Sequence, residues 1–296
     1  MLPSMPWCRL AILTDEVSQD LDEVIRFARE ERLDGIEVRS LFGRAFKDLT
    51  RDDLKLIAAR ASEAGLAIAG AASPVFKCDL DSPTEIAAHV ELFRRAVEAA
   101  HLLGTDLVRV FAFLRRSHPA TSEDLARAAT HFSKLLDVVQ GTGLRIGIEN
   151  EASCVVANGI EMAEFWRHLP VSPQLGVVWD PCNCLYLDGD NDPVTDDFPR
   201  IADHVTHVHI KDAKRDGHRA APTCVEIGTG GIDFPAHLRD LKARGYRGWV
   251  TLETHWRVVP LDTETQHLPA GHAFSAHAEP ASRICIRHLR GWVEAA

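Results

Sequence analysis

Three carboxylates and one imidazole stand in this chain where side chains of their kind are costly without a shared partner. Glu149 closes the apolar run Arg145-Ile146-Gly147-Ile148, and Asp180 follows Val177-Val178-Trp179. His209 lies within the apolar stretch 204–210 and Glu253 within 249–254. One polar residue at the end of a buried segment can simply meet solvent. Four on consecutive segments, three of them acidic, would repel one another and lose hydration when brought together. A divalent cation removes that cost. The donor set is rich in oxygen with one nitrogen, which suits Mn2+ or Mg2+ better than a structural zinc site built on thiolates.

Such a centre supports proton transfer beside a carbonyl. The proton's departure leaves negative charge on the carbonyl oxygen, which a bound dication stabilises. Glu149 and Glu253 are the candidate catalytic pair, because they approach the ion from different strands. Return of the proton to the opposite face inverts a carbon. Return to the neighbouring carbon interconverts aldose and ketose, and loss of a β-hydroxyl is dehydration.

Other polar residues fall near the same segment ends. Lys211 sits two residues beyond His209, on the same face of an extended strand. Arg109 and Lys77 belong with Arg39, Arg115, Arg116 and Lys211 to a set of cations that either hold an anionic substrate group or pair with Glu37 and the site carboxylates. Asn183, three residues after Asp180, can hydrogen-bond a substrate hydroxyl but cannot act as an acid or base near neutral pH. Glu226 precedes a glycine-rich turn and either reaches the site or holds its loop. Trp256 stacks on a sugar ring or packs its loop. His207 shares the face of His209 and reads as a barrel-core histidine one layer deeper.

The elements that must position these groups follow from periodicity. Short apolar runs at 10–14, 35–39, 66–71, 107–111, 145–149, 175–180, 204–210 and 249–254 predict eight strands. Helical spacing predicts helices over 20–32, 50–64, 83–103, 122–140, 160–168 and 234–244, a short one near 198–202, and a last one over 281–294. Asp20 with Glu23 reads as a box-like helix start, and Gly65, Gly104 and Gly245 as C-terminal caps. Alternation of this kind implies a parallel sheet, and eight units in 296 residues favour a closed barrel. The expected fold is α/β: a single (β/α)8 TIM barrel domain over 1–296 with a packing helix at the C-terminus. No Gly-x-Gly-x-x-Gly turn follows the first strand, which disfavours an open dinucleotide-binding sheet. Two long loops, 211–231 and 255–278, follow strands and so belong to the catalytic face.

Composition narrows the partners. The formal net charge is -10, which argues against a nucleic-acid backbone as ligand. No apolar run approaches the length of a membrane span, and the residues 1–6 do not read as a signal peptide. Seven scattered cysteines, none in a CxxC pair, suit reduced thiols and a cytoplasmic location. Cys182 and Cys184 read as loop cysteines near the site.

Several segments taken together resemble the xylose isomerase-like TIM-barrel superfamily, in particular its sugar phosphate isomerases and epimerases. They are Ile148-Glu149-Asn150, Trp179-Asp180-Pro181-x-Asn183, His207-Val208-His209-Ile210-Lys211-Asp212, Leu252-Glu253-Thr254-His255, and Gly228-Thr229-Gly230-Gly231-Ile232-Asp233-Phe234 followed by Gly245-Tyr246-x-Gly248. Thr14-Asp15-Glu16-Val17-Ser18-Gln19-Asp20 and Ser73-Pro74-Val75-Phe76-Lys77 extend the resemblance towards the N-terminus. It implies Glu149, Asp180, His209 and Glu253 as ligands of one divalent ion, Mn2+ first with Mg2+, Co2+ or Zn2+ as alternatives. It implies an isomerase or epimerase acting on a small sugar, sugar phosphate or polyol-derived ketone, with an inosose dehydratase-like lyase as the alternative and a non-catalytic binding protein, which the complete ligand set speaks against, behind it. A homo-oligomer is also expected by resemblance. Many epimerases of the superfamily carry histidine where this chain has Asn183. A repair endonuclease of the same fold would need histidines where Arg39 and Ser73-Pro74 stand, and a basic groove.

Overall fold

Eight apolar segments pair side by side, all parallel, in a computed structural model that describes residues 6–116, 119–215, 221–262, 265 and 271–296. The strands are β1 (Arg9–Ile12), β2 (Gly35–Val38), β3 (Ala67–Ala72), β4 (Leu107–Val110), β5 (Arg145–Glu149), β6 (Leu175–Trp179), β7 (Val205–Ile210) and β8 (Trp249–Leu252). β1 pairs with β8, and the remaining neighbours follow chain order back to β2. A parallel bridge between Leu13 and Glu37 joins β1 to β2, so the sheet closes on itself. The expected barrel is therefore the observed one, with each expected strand present to within a residue or two at its ends.

Helices cross between the strands because their caps and apolar faces demand it. α1 (Leu21–Glu30) begins where Asp20 accepts hydrogen bonds from the Asp22 and Glu23 amides. Glu23 does not complete the expected box; its carboxylate accepts from Ser18 Oγ instead. α2 (Arg51–Glu63) has a full capping box between Thr50 and Asp53. α3 (Pro83–Leu103) has proline in its first turn and stops at Gly104, whose φ of 73° lies in the left-handed region. The helix expected over 122–140 is two, α4 (Ser122–Thr130) and α5 (Phe132–Val139), separated at His131. The His131 ring packs on Phe113 and against the edge of Phe76 at that point. α6 (Gly159–His168), α7 (Phe234–Ala243) and the terminal α8 (Ala278–Ala295) complete the layer, while 193–204 coils through short π and 3-10 turns.

Two hairpins were not foreseen. Ser40–Leu41 pairs with Arg44–Ala45, and Asp212–Lys214 pairs with Thr223–Val225 inside the first long loop. Both long loops include residues outside those described. Among the described residues no helix is long and apolar enough to cross a membrane.

Inside the barrel the filling changes along its axis. Ala11, Ala69 and Trp249 form a small cluster of their own, although β3 and β8 are not neighbours in the sheet, so they meet across the interior. Toward the C-terminal ends the filling turns ionic. The wide Trp249 ring requires small partners: a Cβ on Gly35 would stand 2.8 Å from that ring and 2.4 Å from the Ala67 carbonyl oxygen. Gly35→Ala is expected to destabilise the fold by about 1–3 kcal/mol through overpacking. Urea unfolding would show it as a lowered midpoint with an unchanged slope.

Candidate metal centre

Alternation along the strands decides which side chains meet in the mouth of the barrel. On β7, His207 and His209 share the inward face, and Lys211 continues it. On β8 and its extension Thr251, Glu253 and His255 do the same. β5 contributes Glu149, and β6 delivers Asp180 immediately after Trp179. All four expected ligands are buried. One ligand atom from each of Glu149, Asp180, His209 and Glu253 lies within 4.8 Å of the others.

Local structure holds each donor in place. Asp180 caps the helical turn Pro181–Cys184, with Oδ1 accepting from the Cys182 amide at 2.9 Å, so Oδ2 is left for the centre. Asn150 bridges the two strands: its Oδ1 accepts from the Asp180 amide at 2.9 Å and its Nδ2 donates to the Asp180 carbonyl at 2.8 Å. Glu149 divides its oxygens. Oε2 accepts from Arg109 Nη1 at 2.7 Å and Oε1 faces His209 Nδ1 at 3.2 Å. Glu253 repeats that division, with Arg39 on Oε1 and His209 Nδ1 3.2 Å from Oε2. Asp180 Oδ2 and Glu253 Oε2 are buried without an aligned hydrogen bond among the described residues, although Lys211 Nζ lies 2.8 Å from the former. Oxygen donors left open in this way fit a cation.

The electrostatics reflect the crowding. Burial and the nearby Glu253 and Glu149 push the Asp180 carboxyl up to about 6 against the pull of Lys211. Burial opposes ionisation of Glu253 as well, yet Lys211 and Arg39 hold it well below the usual carboxylate range. His209 is buried, but Glu37 and Glu149 hold its imidazolium well above the ordinary histidine range. A divalent ion would replace that proton on Nδ1, because a histidine ligand binds through a neutral nitrogen.

The expected substrate contacts divide into two groups. Lys211 is buried against Asp180, and its ammonium also donates to Asn183 Oδ1 at 3.1 Å. Asn183 in turn donates to the Asn150 carbonyl at 2.8 Å, so both line the centre. Arg109 stacks on Phe111 at 4.3 Å, and Lys77 sits over the same ring at 4.9 Å while pairing with Glu151 at 3.4 Å. Of the two roles expected for Glu226, its contact fits the loop-holding one: its carboxylate meets His288 of α8 at 2.9 Å. Trp256 is half-buried against the core, which fits a packing role. His207 is fully buried one layer below His209, as expected.

Sequence reasoning did not assign roles to Asp15 and Glu16, and it offered Glu37 as a partner for the strand-end cations rather than for histidines. Arg39 pairs with Asp15 at 2.8 Å and Glu16 at 3.1 Å, and Arg257 with Glu16 at 2.8 Å. Glu37 receives both His207 and His209. A glutamate in the middle of an otherwise apolar strand was the available signal.

A family model described as "Xylose isomerase-like TIM barrel" matches residues 25–276. The chain belongs to that family. An inosose dehydratase of Serratia proteamaculans is 24% identical over 149 residues, 45% of this chain and 48% of that protein. The chain thus matches about half the length of that relative. A D-allulose 3-epimerase from Methylomonas sp. superposes with a TM-score of 0.71 at 19% identity, over 97% of this chain and 98% of that one. The IOLI protein, crystallised with a zinc atom, superposes with a TM-score of 0.72 at 17% identity over the same shares. At those identities the superpositions establish a shared fold.

One thiol at the mouth is unlike the rest. Burial works against its ionisation, but His255 beside it lowers the Cys224 thiol below the ordinary value of 9.0, and Tyr186 OH lies 3.2 Å from its sulfur. Burial instead pushes Cys182 and Cys184 well above that value. Iodoacetamide is therefore expected to label Cys224 before Cys182 or Cys184, because the thiolate is the nucleophile. Peptide mass spectrometry across a pH series would read a labelling midpoint below 9.0 for Cys224, shifted upward by His255→Ala.

Proposed function

We propose that this chain is a divalent-metal-dependent isomerase or epimerase of a small keto sugar or polyol-derived ketone. The observation that carries the reading is the convergence of Glu149, Asp180, His209 and Glu253 on one buried point. These four would hold the ion, Mn2+ by the chemistry of its oxygen-rich donors. Held there, it would supply positive charge for the oxygen anion that develops as a proton leaves the carbon beside a carbonyl.

Glu149 and Glu253 are the proton-transfer pair. Arg109 and Arg39 each grip one carboxylate oxygen and leave the other turned to the centre. The grip keeps both groups oriented toward the centre. Asn183 and Lys211 offer hydrogen bonds to substrate hydroxyls. Each of Arg39, Lys77, Arg109, Arg115, Arg116 and Lys211 already has a carboxylate partner. That pairing favours an uncharged polyol over a phosphate ester. Seven free cysteines, five of them buried, suit a reducing compartment, and we place the protein in the cytoplasm.

A dehydratase is the second reading. It is supported by the sequence match to the Serratia enzyme and by Asn183, which cannot exchange a proton as histidine would. In that reaction one carboxylate takes the proton from carbon, and the neighbouring hydroxyl leaves as water with a proton delivered by Lys211.

Elemental mass spectrometry of protein purified without added metal is expected to find about one divalent ion per chain, and Glu253→Gln to lose most of it. Absence of uptake even after adding Mn2+, Mg2+, Co2+ or Zn2+ would end the proposal. Incubation with keto sugars and inososes in D2O then separates the outcomes. An isomerase or epimerase returns a sugar carrying one deuterium, whereas a dehydratase returns a product lacking the elements of water.

A further inference from the structure

His209 has two ring nitrogens, and the structure gives each a different neighbourhood. Nδ1 faces Glu149 and Glu253, both at 3.2 Å. Nε2 faces Glu37, with the two carboxylate oxygens at 3.2 and 3.3 Å. Glu37 also lies 2.7 Å from His207 Nε2, which is 3.0 Å from Thr251 Oγ1. Glu37, His207, His209 and Thr251 are all fully buried. The other nitrogen of His207, Nδ1, has no hydrogen-bond partner among the described residues.

We propose that Glu37 is a positioning residue that fixes the proton of His209 on Nε2, so that Nδ1 presents its lone pair to the ion. The proposal rests on the reading of His209 as a ligand. A carboxylate only accepts hydrogen bonds, so a neutral histidine facing it must place its single proton on that side. The unpartnered Nδ1 of His207 argues that its own proton also sits on Nε2, directed at Glu37, because a buried N–H without an acceptor is costly. Glu37 is then an acceptor shared by two N–H donors, and His207 holds it in place from below. The backbone is shaped for this contact. Ile36 pairs with Ile68 but Glu37 with Gly70, so the ladder skips Ala69 at the glutamate. A second irregularity lets Val177 pair with Val205 and Val178 with His207. Bulges of this kind re-aim side chains, and here both fall at members of the Glu37–His207 pair.

The test uses the full chain. Mn2+ titration followed by the EPR signal of the free ion gives affinity and stoichiometry for wild type, Glu37→Gln and Glu37→Asp. Zn2+-loaded protein with 15N-labelled histidine gives the tautomer by NMR. The expected result is one ion in wild type, about 10–100-fold weaker binding in Glu37→Gln, and partial recovery in Glu37→Asp. Wild-type spectra should show His209 protonated on Nε2, with its proton exchanging slowly. Thermal unfolding of the metal-free variants separates a folding defect from weakened binding, and the wild-type NMR result stands even if a variant does not fold. Binding by Glu37→Gln within about twofold of wild type, or a His209 proton on Nδ1, would overturn the proposal. So would two ions in wild type and one in the variant, since Glu37 would then be a ligand itself. If wild type took up no ion, the reading of the centre would fail and this inference with it. Equal uptake by wild type and variant would sink this inference alone.

Discussion

Packing several carboxylates into the end of a closed barrel creates a charge problem that the surrounding structure is arranged to solve. Glu37, Glu149, Asp180 and Glu253 are all buried, in two clusters that share His209. Left unpaired, each would be forced toward its neutral form by desolvation and by the others. Arg39, Arg109 and Lys211 supply compensating charge from different directions, and His207 and His209 of β7 place ring nitrogens against Glu37. A divalent ion would add to the charge supplied by Arg39, Arg109 and Lys211 and would displace only the proton on His209 Nδ1. The oxygens of Asp180 and Glu253 that lack an aligned hydrogen bond mark where the framework remains incomplete.

This constraint explains the division of the barrel along its axis. The N-terminal half of the interior is closed by Trp249 against alanine and glycine, and small residues there are needed because the ring fills the section. The C-terminal half is held by ionic and amide contacts. A buried polar network of this kind is costly when any partner is missing. The residues around it are accordingly fixed by caps and carbonyls: Asp180 by its own helical turn, Asn150 by the backbone of Asp180, and Asn183 by the backbone of Asn150. The chemistry in the mouth therefore sits on strand ends held by these contacts.

Most of the fold and four ligand candidates were legible in the residues alone. Strand ends could be read because parallel barrel strands are buried on both faces and appear as apolar runs. Helix starts at Asp20, Thr50 and Pro83 could be read because capping is a local matter of side chain to backbone. Glu149, Asp180, His209 and Glu253 stood out because polar residues in such runs need a reason. The partners of the cations were not legible. Arg39 and Glu253 are 214 residues apart, and only closure of β1 onto both β2 and β8 brings them together. The partner of Glu226 was not legible for the same reason: His288 belongs to a helix that returns across the loop from the other end of the chain.

The sequence by itself thus determined the element order, the barrel class and the chemical types gathered at its mouth, since these depend on periodicity, caps and composition within short windows. Tertiary structure alone decided which oxygen of each carboxylate is occupied, which nitrogen of His209 faces the centre, and where the sheet ladder slips at Glu37 and His207. Those choices depend on strand register and on contacts across the barrel. A shift of one residue in pairing would turn an inward side chain outward, and no local pattern records it.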